Sequence, residues 1–101
     1  MNMEIQQLFT RADAGDVAAK RELAERYMSG NGVPQDEATA FEYYIRAADA
    51  GDDEAAFIAG QMLLWDDIVP MDEVRGMALL RKAAEQGNSD AIDLLEEIKS
   101  R

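Results

Sequence analysis

The chain of 101 residues contains neither cysteine nor histidine, which excludes disulfide bonds, the usual zinc sites and thiol or imidazole catalysis. Its length suits one domain with its own core. Its net charge of −11 is concentrated in residues 36–72, where ten acidic residues face one basic residue, Arg46. Such a charge repels nucleic acid and anionic membranes and attracts basic proteins, although it also serves simply to keep a protein soluble.

Helical periodicity predicts six amphipathic helices in chain order. Aspartates at 16, 36 and 72 are placed as N-caps, the fourth helix begins at Asp52 or Asp53, and the last helix begins at Asn88 or Ser89. The fourth helix is apolar around most of its circumference, so we expect it either to be sandwiched between neighbours or to present a sticky surface. The predicted ranges are 3–14, 17–29, 37–50, 54–65, 73–86 and 89–99.

Two loops interrupt the helical pattern, at residues 29–35 and 66–71. The first contains Gly30, Gly32 and a proline, which end a helix, and its Val33 is predicted to return to the core. The second has Asp66 and Ile68 at the positions of the two glycines. We therefore expect a different backbone conformation there.

The main pattern of the sequence is a period of 36 residues. Gly15, Gly51 and Gly87 obey it, as do Pro34 and Pro70. A period in this range indicates a solenoid, in which each unit buries its apolar face only by stacking on a neighbour. The sequence then divides into a half unit at 1–15, repeats at 16–51 and 52–87, and a capping helix at 88–101.

The residues of the first unit are similar to the Sel-1-like repeat, a helix-loop-helix relative of the tetratricopeptide repeat. The resemblance is carried in the first unit by Ala19, Leu23, Tyr27, Gly30, Gly32, Val33, Asp36, Ala40, Tyr44, Ala47, Ala48 and Gly51. The second unit continues it with Ala55, Gly60, Leu63, Val69, Asp72, Leu80, Ala83, Ala84 and Gly87.

The resemblance implies an all-α, right-handed superhelix of about six antiparallel helices. It also implies a concave face, lined by the first helix of each unit, that binds other proteins without catalysis. Two departures stand at the glycine position of the pattern. Ala24 predicts a slightly looser helix approach in the first unit, and Glu96 suits a helix that faces solvent.

Stacking equivalent positions of successive units sketches this concave face. Arg21, Phe57 and Asp93 form one stack. Glu25, Gln61 and Glu97 form a second, and Met28, Leu64 and Ser100 form a third. Aromatic and apolar anchors ringed by carboxylates have the composition of an interface hot spot; the alternative is that Phe57 and Trp65 pack under the second loop. The predicted partner-binding residues are Arg21, Glu25, Met28, Phe57, Gln61, Leu64, Trp65, Asp66 and Asp67.

The acidic residues 49, 52, 53 and 54 crowd one turn, and a calcium site is one interpretation of them. Their spacing lacks the alternating ligands of a calcium loop, and N-caps with first-turn acids explain most of them through the helix dipole. Paired carboxylates also occur in glycosidases, but no polar cleft with stacking aromatics is discernible. We predict no metal, no cofactor and no enzymatic activity.

The sequence thus favours a non-catalytic protein-binding module. The sharper hypothesis is a small cytoplasmic, bacterial-type immunity protein that neutralises a basic toxin, because a two-unit acidic chain starting at its own methionine is too small to scaffold several partners. The alternative is an adaptor or scaffold subunit that binds a host protein in stress or signalling. The prediction includes no nucleic acid and no membrane as partner, and leaves a homodimer open.

Overall fold

The computed structural model describes residues 3–101, which form six α-helices and no strand. All six begin and end within one residue of their predicted bounds, so the all-α prediction is confirmed. None of these helices combines the length and hydrophobicity that crossing a membrane requires. The helices are α1 (Met3–Asp13), α2 (Val17–Ser29), α3 (Glu37–Asp49), α4 (Asp53–Trp65), α5 (Glu73–Glu85) and α6 (Ser89–Lys99).

Helix starts are fixed by side chains that accept hydrogen bonds from otherwise unsatisfied backbone amides. Asp16 accepts from the amide of Ala19 at 3.0 Å, and Asn88 accepts from that of Ala91 at 2.9 Å. The aspartates at 36, 52 and 72 cap α3, α4 and α5 in the same way. The N-cap predictions therefore hold for every helix from α2 to α6.

The helices form two layers, with α1, α3 and α5 in one and α2, α4 and α6 in the other. Each helix packs on its neighbours in the chain, and the result is elongated, 47 × 26 × 17 Å. Within a layer, the Lys82 ammonium of α5 donates to the backbone oxygen of Ala48 in α3 at 3.0 Å. At one end, Tyr27 and Tyr43 stack at 5.8 Å, and Phe9 meets both rings edge-on, which joins α1, α2 and α3.

Helix α4 lies at the centre of the core, which explains its apolar circumference. It packs against both α3 and α5, as the sandwiched alternative requires, and it also presents apolar surface, since Trp65 at its C-terminal end is 49% exposed. Its buried residues are Ala55, Ala56, Ala59, Gly60, Met62, Leu63 and Leu64.

Backbone contact between α4 and α5 depends on two glycines. A β-carbon at Gly60 would lie 3.0 Å from the backbone oxygen of Gly76, and one at Gly76 would lie 3.0 Å from that of Gly60. The equivalent positions of the first unit hold Ala24 and Ala40, both fully buried. In the last helix the position holds Glu96, which is exposed as expected.

The two loops differ in backbone conformation, as their sequences predict. Gly30 and Gly32 adopt φ values of 76° and 83°, which favour glycine, and Val33 is buried in the core. A β-carbon at Gly32 would lie 2.7 Å from a side-chain carbon of Ile5, so the loop also needs glycine for space. By contrast, no residue of the second loop has a positive φ.

Candidate functional site

The solvent side of α2, α4 and α6, called here the even-helix face, carries a cavity of about 500 Å³. We call it the apolar cavity, because its walls are mainly methionine, isoleucine and tryptophan side chains from α2 and α4. Trp65 lies at its edge with 49% of its surface exposed. The lining residues are Met28, Ile58, Gln61, Met62, Trp65 and Asp66.

A second cavity of about 400 Å³ lies on the same face, toward the N-terminal ends of α4 and α6. We call it the acidic cavity, since three carboxylates line it against one guanidinium. Ile58 lines both cavities, so the two are adjacent along α4. The lining residues of the acidic cavity are Arg21, Asp53, Glu54, Phe57, Ile58, Asn88 and Asp90.

Arg21 is held in place by an ion pair between successive repeats. Its guanidinium donates to the Asp52 carboxylate at 2.8 Å and lies 3.7 Å from that of Glu54. Burial disfavours the charged guanidinium, but these two carboxylates outweigh burial and raise the pKa of Arg21. Arg21 therefore connects α2 to the start of α4, and part of its charge is already neutralised within the chain.

Glu25 extends the same network, with its carboxylate 3.9 Å from the Arg21 guanidinium. Burial raises the pKa of Glu25, Arg21 opposes that shift, and the charge of Glu54 adds to it. Asp53 has a different partner, because it accepts a hydrogen bond from the Asn88 side chain at 3.0 Å. Among residues 3–101, no three acidic side chains converge as ligands for a metal ion.

Trp65 is not covered by the second loop. One side of it lines the apolar cavity, and the other faces a smaller cavity of about 280 Å³ between α4, α5 and α6. The Arg101 guanidinium lies 6.0 Å from the centre of the Trp65 ring, within range of a cation–π contact. An aromatic surface with guanidinium contact on one side and an open cavity on the other is therefore available at this edge.

The structure brings most of the predicted site residues together on the even-helix face. Met28, Gln61, Trp65 and Asp66 share the apolar cavity, and Arg21 and Phe57 share the acidic cavity. Phe57 is partly buried against the core cluster. Glu25 and Asp67 are exposed but line neither cavity.

Leu64 does not lie where the stacking of equivalent positions assigns it. It is only 8% exposed and packs toward α5, where a β-carbon at Gly76 would lie 2.8 Å from its side chain. The prediction that Leu64 binds a partner on the concave face together with Phe57 and Trp65 is corrected accordingly. Leu64 belongs to the core contact between α4 and α5.

Several residues of this face were not selected from the sequence. Ile58 and Met62 read as core residues of an apolar helix, and Asp53, Asn88 and Asp90 read as caps and first-turn acids. A usable signal existed for Asn88, because it stands 36 residues after Asp52 and therefore at an equivalent helix start. Nothing in the local sequence indicates that Arg101 lies against Trp65.

Antiparallel helix pairs stacked in two layers, with cavities on one face, define an α-solenoid repeat protein. The Sel1 repeat model matches residues 17–52 and 53–88. The chain belongs to the Sel1 repeat family, whose members generally serve as protein-interaction modules and are not generally catalytic. Among curated proteins there is no match.

Solved structures agree with this family. A Sel1 repeat protein from Oxalobacter formigenes superimposes with a TM-score of 0.88 at 31% identity, over 96% of this chain and 40% of that one. The protein c5321, a protective antigen present in uropathogenic Escherichia coli strains, superimposes with a TM-score of 0.77 at 36% identity, over 83% of this chain and 18% of that one. This chain thus spans less than half the length of either relative.

A third structure supports the fold alone. Helicobacter pylori cysteine rich protein B superimposes with a TM-score of 0.84 over 93% of this chain and 72% of that one, at 24% identity. The name of that protein refers to cysteines, which this chain does not contain.

Proposed function

We propose that this chain binds another protein through the even-helix face, and that the partner is a basic domain, specifically a toxin that the chain neutralises. The observation that carries the proposal is Trp65, half exposed at the edge of a cavity of about 500 Å³. Asp66 lines the same cavity, so an apolar anchor stands beside a carboxylate. That combination suits a basic protein surface with a protruding apolar side chain.

The energy of such a contact would come mainly from the aromatic anchor. Truncation of a tryptophan at the centre of an interface commonly costs about 2 kcal/mol or more in binding. Met28 and Met62 line the same cavity and supply flexible apolar walls that adapt to the inserted side chain. The surrounding carboxylates would exclude poorly matched acidic partners.

The charge distribution supports a basic partner. Residues 36–72 carry a net charge of −9, and their acidic residues include Asp53, Glu54 and Asp66 on the even-helix face. A concentrated field of one sign raises the rate of encounter with the opposite sign. Inhibition of a basic toxin requires only that its active site be covered.

A survival assay tests the proposal. The genes adjacent to that of this chain are searched for a basic toxin domain, that domain is co-expressed with the chain in bacteria, and colony survival is counted. We expect survival with the native chain and loss of protection with Trp65→Ala. The matched control is Val74→Ala, because Val74 is an apolar residue of α5 with 83% exposure that lines neither cavity on the even-helix face.

Two results would overturn the toxin hypothesis. One is cell death despite soluble, helical native chain. The other is unchanged protection by Trp65→Ala, which would remove the even-helix face from the mechanism. Stable copurification with a non-toxic assembly, without any protection, would favour the adaptor alternative.

A further inference from the structure

The two cavities of the even-helix face are adjacent but offer different chemistry. The apolar cavity presents Met28, Met62 and Trp65, whereas the acidic cavity presents Glu54 and other carboxylates. Ile58 is the wall that they share. A single bound segment can therefore enter both cavities at once.

The acidic cavity keeps unneutralised negative charge. Its one guanidinium, that of Arg21, is shared between the Asp52 carboxylate at 2.8 Å and the Glu54 carboxylate at 3.7 Å, so it offsets only part of the charge of the three carboxylates in the lining. Asp53 accepts from Asn88, but that bond brings no positive charge. Glu54 and Asp90 are exposed. The cavity is thus complementary to an added cation next to the ring of Phe57.

The distance between the cavities follows from the helix that lines both. The α4 residues of the acidic cavity centre near position 55 or 56, and those of the apolar cavity near position 61 or 62. Six residues of α-helix correspond to about 9 Å along the axis. Two side chains that point the same way are separated by about 9 Å at three residues in a polyproline II segment, and by about 10 Å at seven residues in a helix.

We infer that the even-helix face recognises a segment of a basic partner that presents one large apolar side chain and one arginine or lysine about 9 Å apart on the same side. The apolar side chain enters beside Trp65, and the cation enters between Glu54 and Asp90. This inference rests on the proposed function, since it specifies the partner of the same face. Charge complementarity favours this orientation, because the acidic cavity has three carboxylates in its lining and the apolar cavity has one, that of Asp66.

Synthetic peptides test the spacing directly. The probes are 15-residue peptides of identical composition with one phenylalanine and one arginine, separated by three, five or seven positions. Trp65 is the single tryptophan of the chain, so its emission reports binding at the apolar cavity. We expect the peptide with spacing three or the one with spacing seven to bind several-fold more tightly than the peptide with spacing five. Equal binding of all three overturns the inference.

A charge cycle tests the acidic cavity. In Glu54→Gln with Asp90→Asn, the preferred peptide should lose about fivefold in affinity, and replacement of its arginine by glutamine should then have little further effect. The matched control is Glu42→Gln with Glu85→Gln, which removes two exposed carboxylates from α3 and α5. Equal losses in both double variants, or a loss in neither, would overturn the inference.

The experiments distinguish failure of the two-cavity recognition from failure of the toxin hypothesis. If the native chain protects cells while the peptides show no spacing preference, the two-cavity recognition is wrong and the proposed function stands. If the peptides bind with the expected spacing but no toxin is neutralised, recognition stands and the toxin assignment falls. Circular dichroism of each variant confirms that its helices are intact.

Discussion

Asp52 shows that one side chain can serve two structural roles in a small repeat protein. Its carboxylate accepts from the backbone amides of Glu54 and Ala55, which caps α4, and from the Arg21 guanidinium of α2. With 5% of the side chain exposed, the charge is tolerated only because these donors replace water. The same residue therefore starts a helix and ties two repeats together.

Replacement of Asp52 by alanine should destabilise the chain more than replacement of Asp36. Both side chains cap helices, but Asp36 is exposed and its cap is not joined to an ion pair. Loss of Asp52 also leaves Arg21 without its buried partner, so we expect a loss of about 2 to 3 kcal/mol in the free energy of unfolding. Urea unfolding of both variants measures the difference, and equal losses would contradict the role of the ion pair.

The raised pKa of Tyr44 predicts a loss of stability at alkaline pH. Burial, helped by the charges of Glu25 and Glu54, raises the pKa of Tyr44 from its ordinary value of 10 to about 12. Above pH 10 the unfolded chain releases this proton while the folded chain keeps it, so stability falls between pH 10 and 12 by up to about 1.4 kcal/mol per pH unit. Below pH 10 Tyr44 is protonated in both the folded and the unfolded chain, so its ionisation does not change stability there.

Tyr44→Phe isolates this contribution. The variant keeps the buried ring but has no proton to lose, so its free energy of unfolding should fall less steeply between pH 10 and 12 than that of the native chain. Urea unfolding at several pH values gives both slopes. Parallel curves would show that Tyr44 ionises as readily in the folded chain as in the unfolded one.

At the scale of elements, the close contact between α4 and α5 depends on two residues that have no β-carbon. Gly60 and Gly76 let the two backbones meet, and Leu64 fills the space that a β-carbon at position 76 would occupy. In the first unit Ala40, which has a β-carbon and is fully buried, stands at the position of Gly76. Met28, the counterpart of Leu64, instead lines the apolar cavity.

Gly60→Ala should therefore destabilise the chain even though alanine is the better helix former. Helix propensity alone favours the change by about 1 kcal/mol. The added methyl would lie 3.0 Å from the backbone oxygen of Gly76 and 3.1 Å from Leu80, so these neighbours must shift by a few tenths of an ångström. Because one of them belongs to the backbone of a packed helix, we expect the strain to exceed the gain in propensity, with a net loss of up to about 2 kcal/mol. Thermal and urea unfolding measure it, and a stabilised variant would refute the close approach.

At the scale of the whole molecule, shape and charge are arranged together. The chain is an elongated pair of helix layers, and nearly all of its excess negative charge lies in the central third of the sequence. That third includes all of α4, which lines both cavities of the even-helix face. The field is thus strongest near the surface that we propose for binding.

The rate of association with a basic partner should accordingly depend on salt. Between about 10 mM and 500 mM ionic strength we expect it to fall at least about tenfold, because screening shortens the range of the attraction. Trp65→Ala should act on the dissociation rate, since it removes contact rather than long-range charge. Stopped-flow or surface measurements separate the two rates, and an association rate that does not change with salt would contradict steering.

The sequence by itself determined the helix ends, the repeat period and the difference between the loops. These features are local, because an N-cap, a glycine with positive φ or a buried valine acts within a few residues of its own position. Asp36 and Gly30 show this, since both have the predicted conformation. The 36-residue period, by aligning equivalent positions of the units, selected most of the residues that line the apolar cavity.

Only the tertiary structure decided which equivalent residues reach the surface. Exposure depends on the facing helix. Leu64 is buried because α5 offers it the space beside Gly76, whereas Met28, its counterpart in the first unit, lines the apolar cavity. The Arg21–Asp52 pair and the Arg101–Trp65 contact likewise join residues 31 and 36 positions apart, and packing between helices alone brings them together.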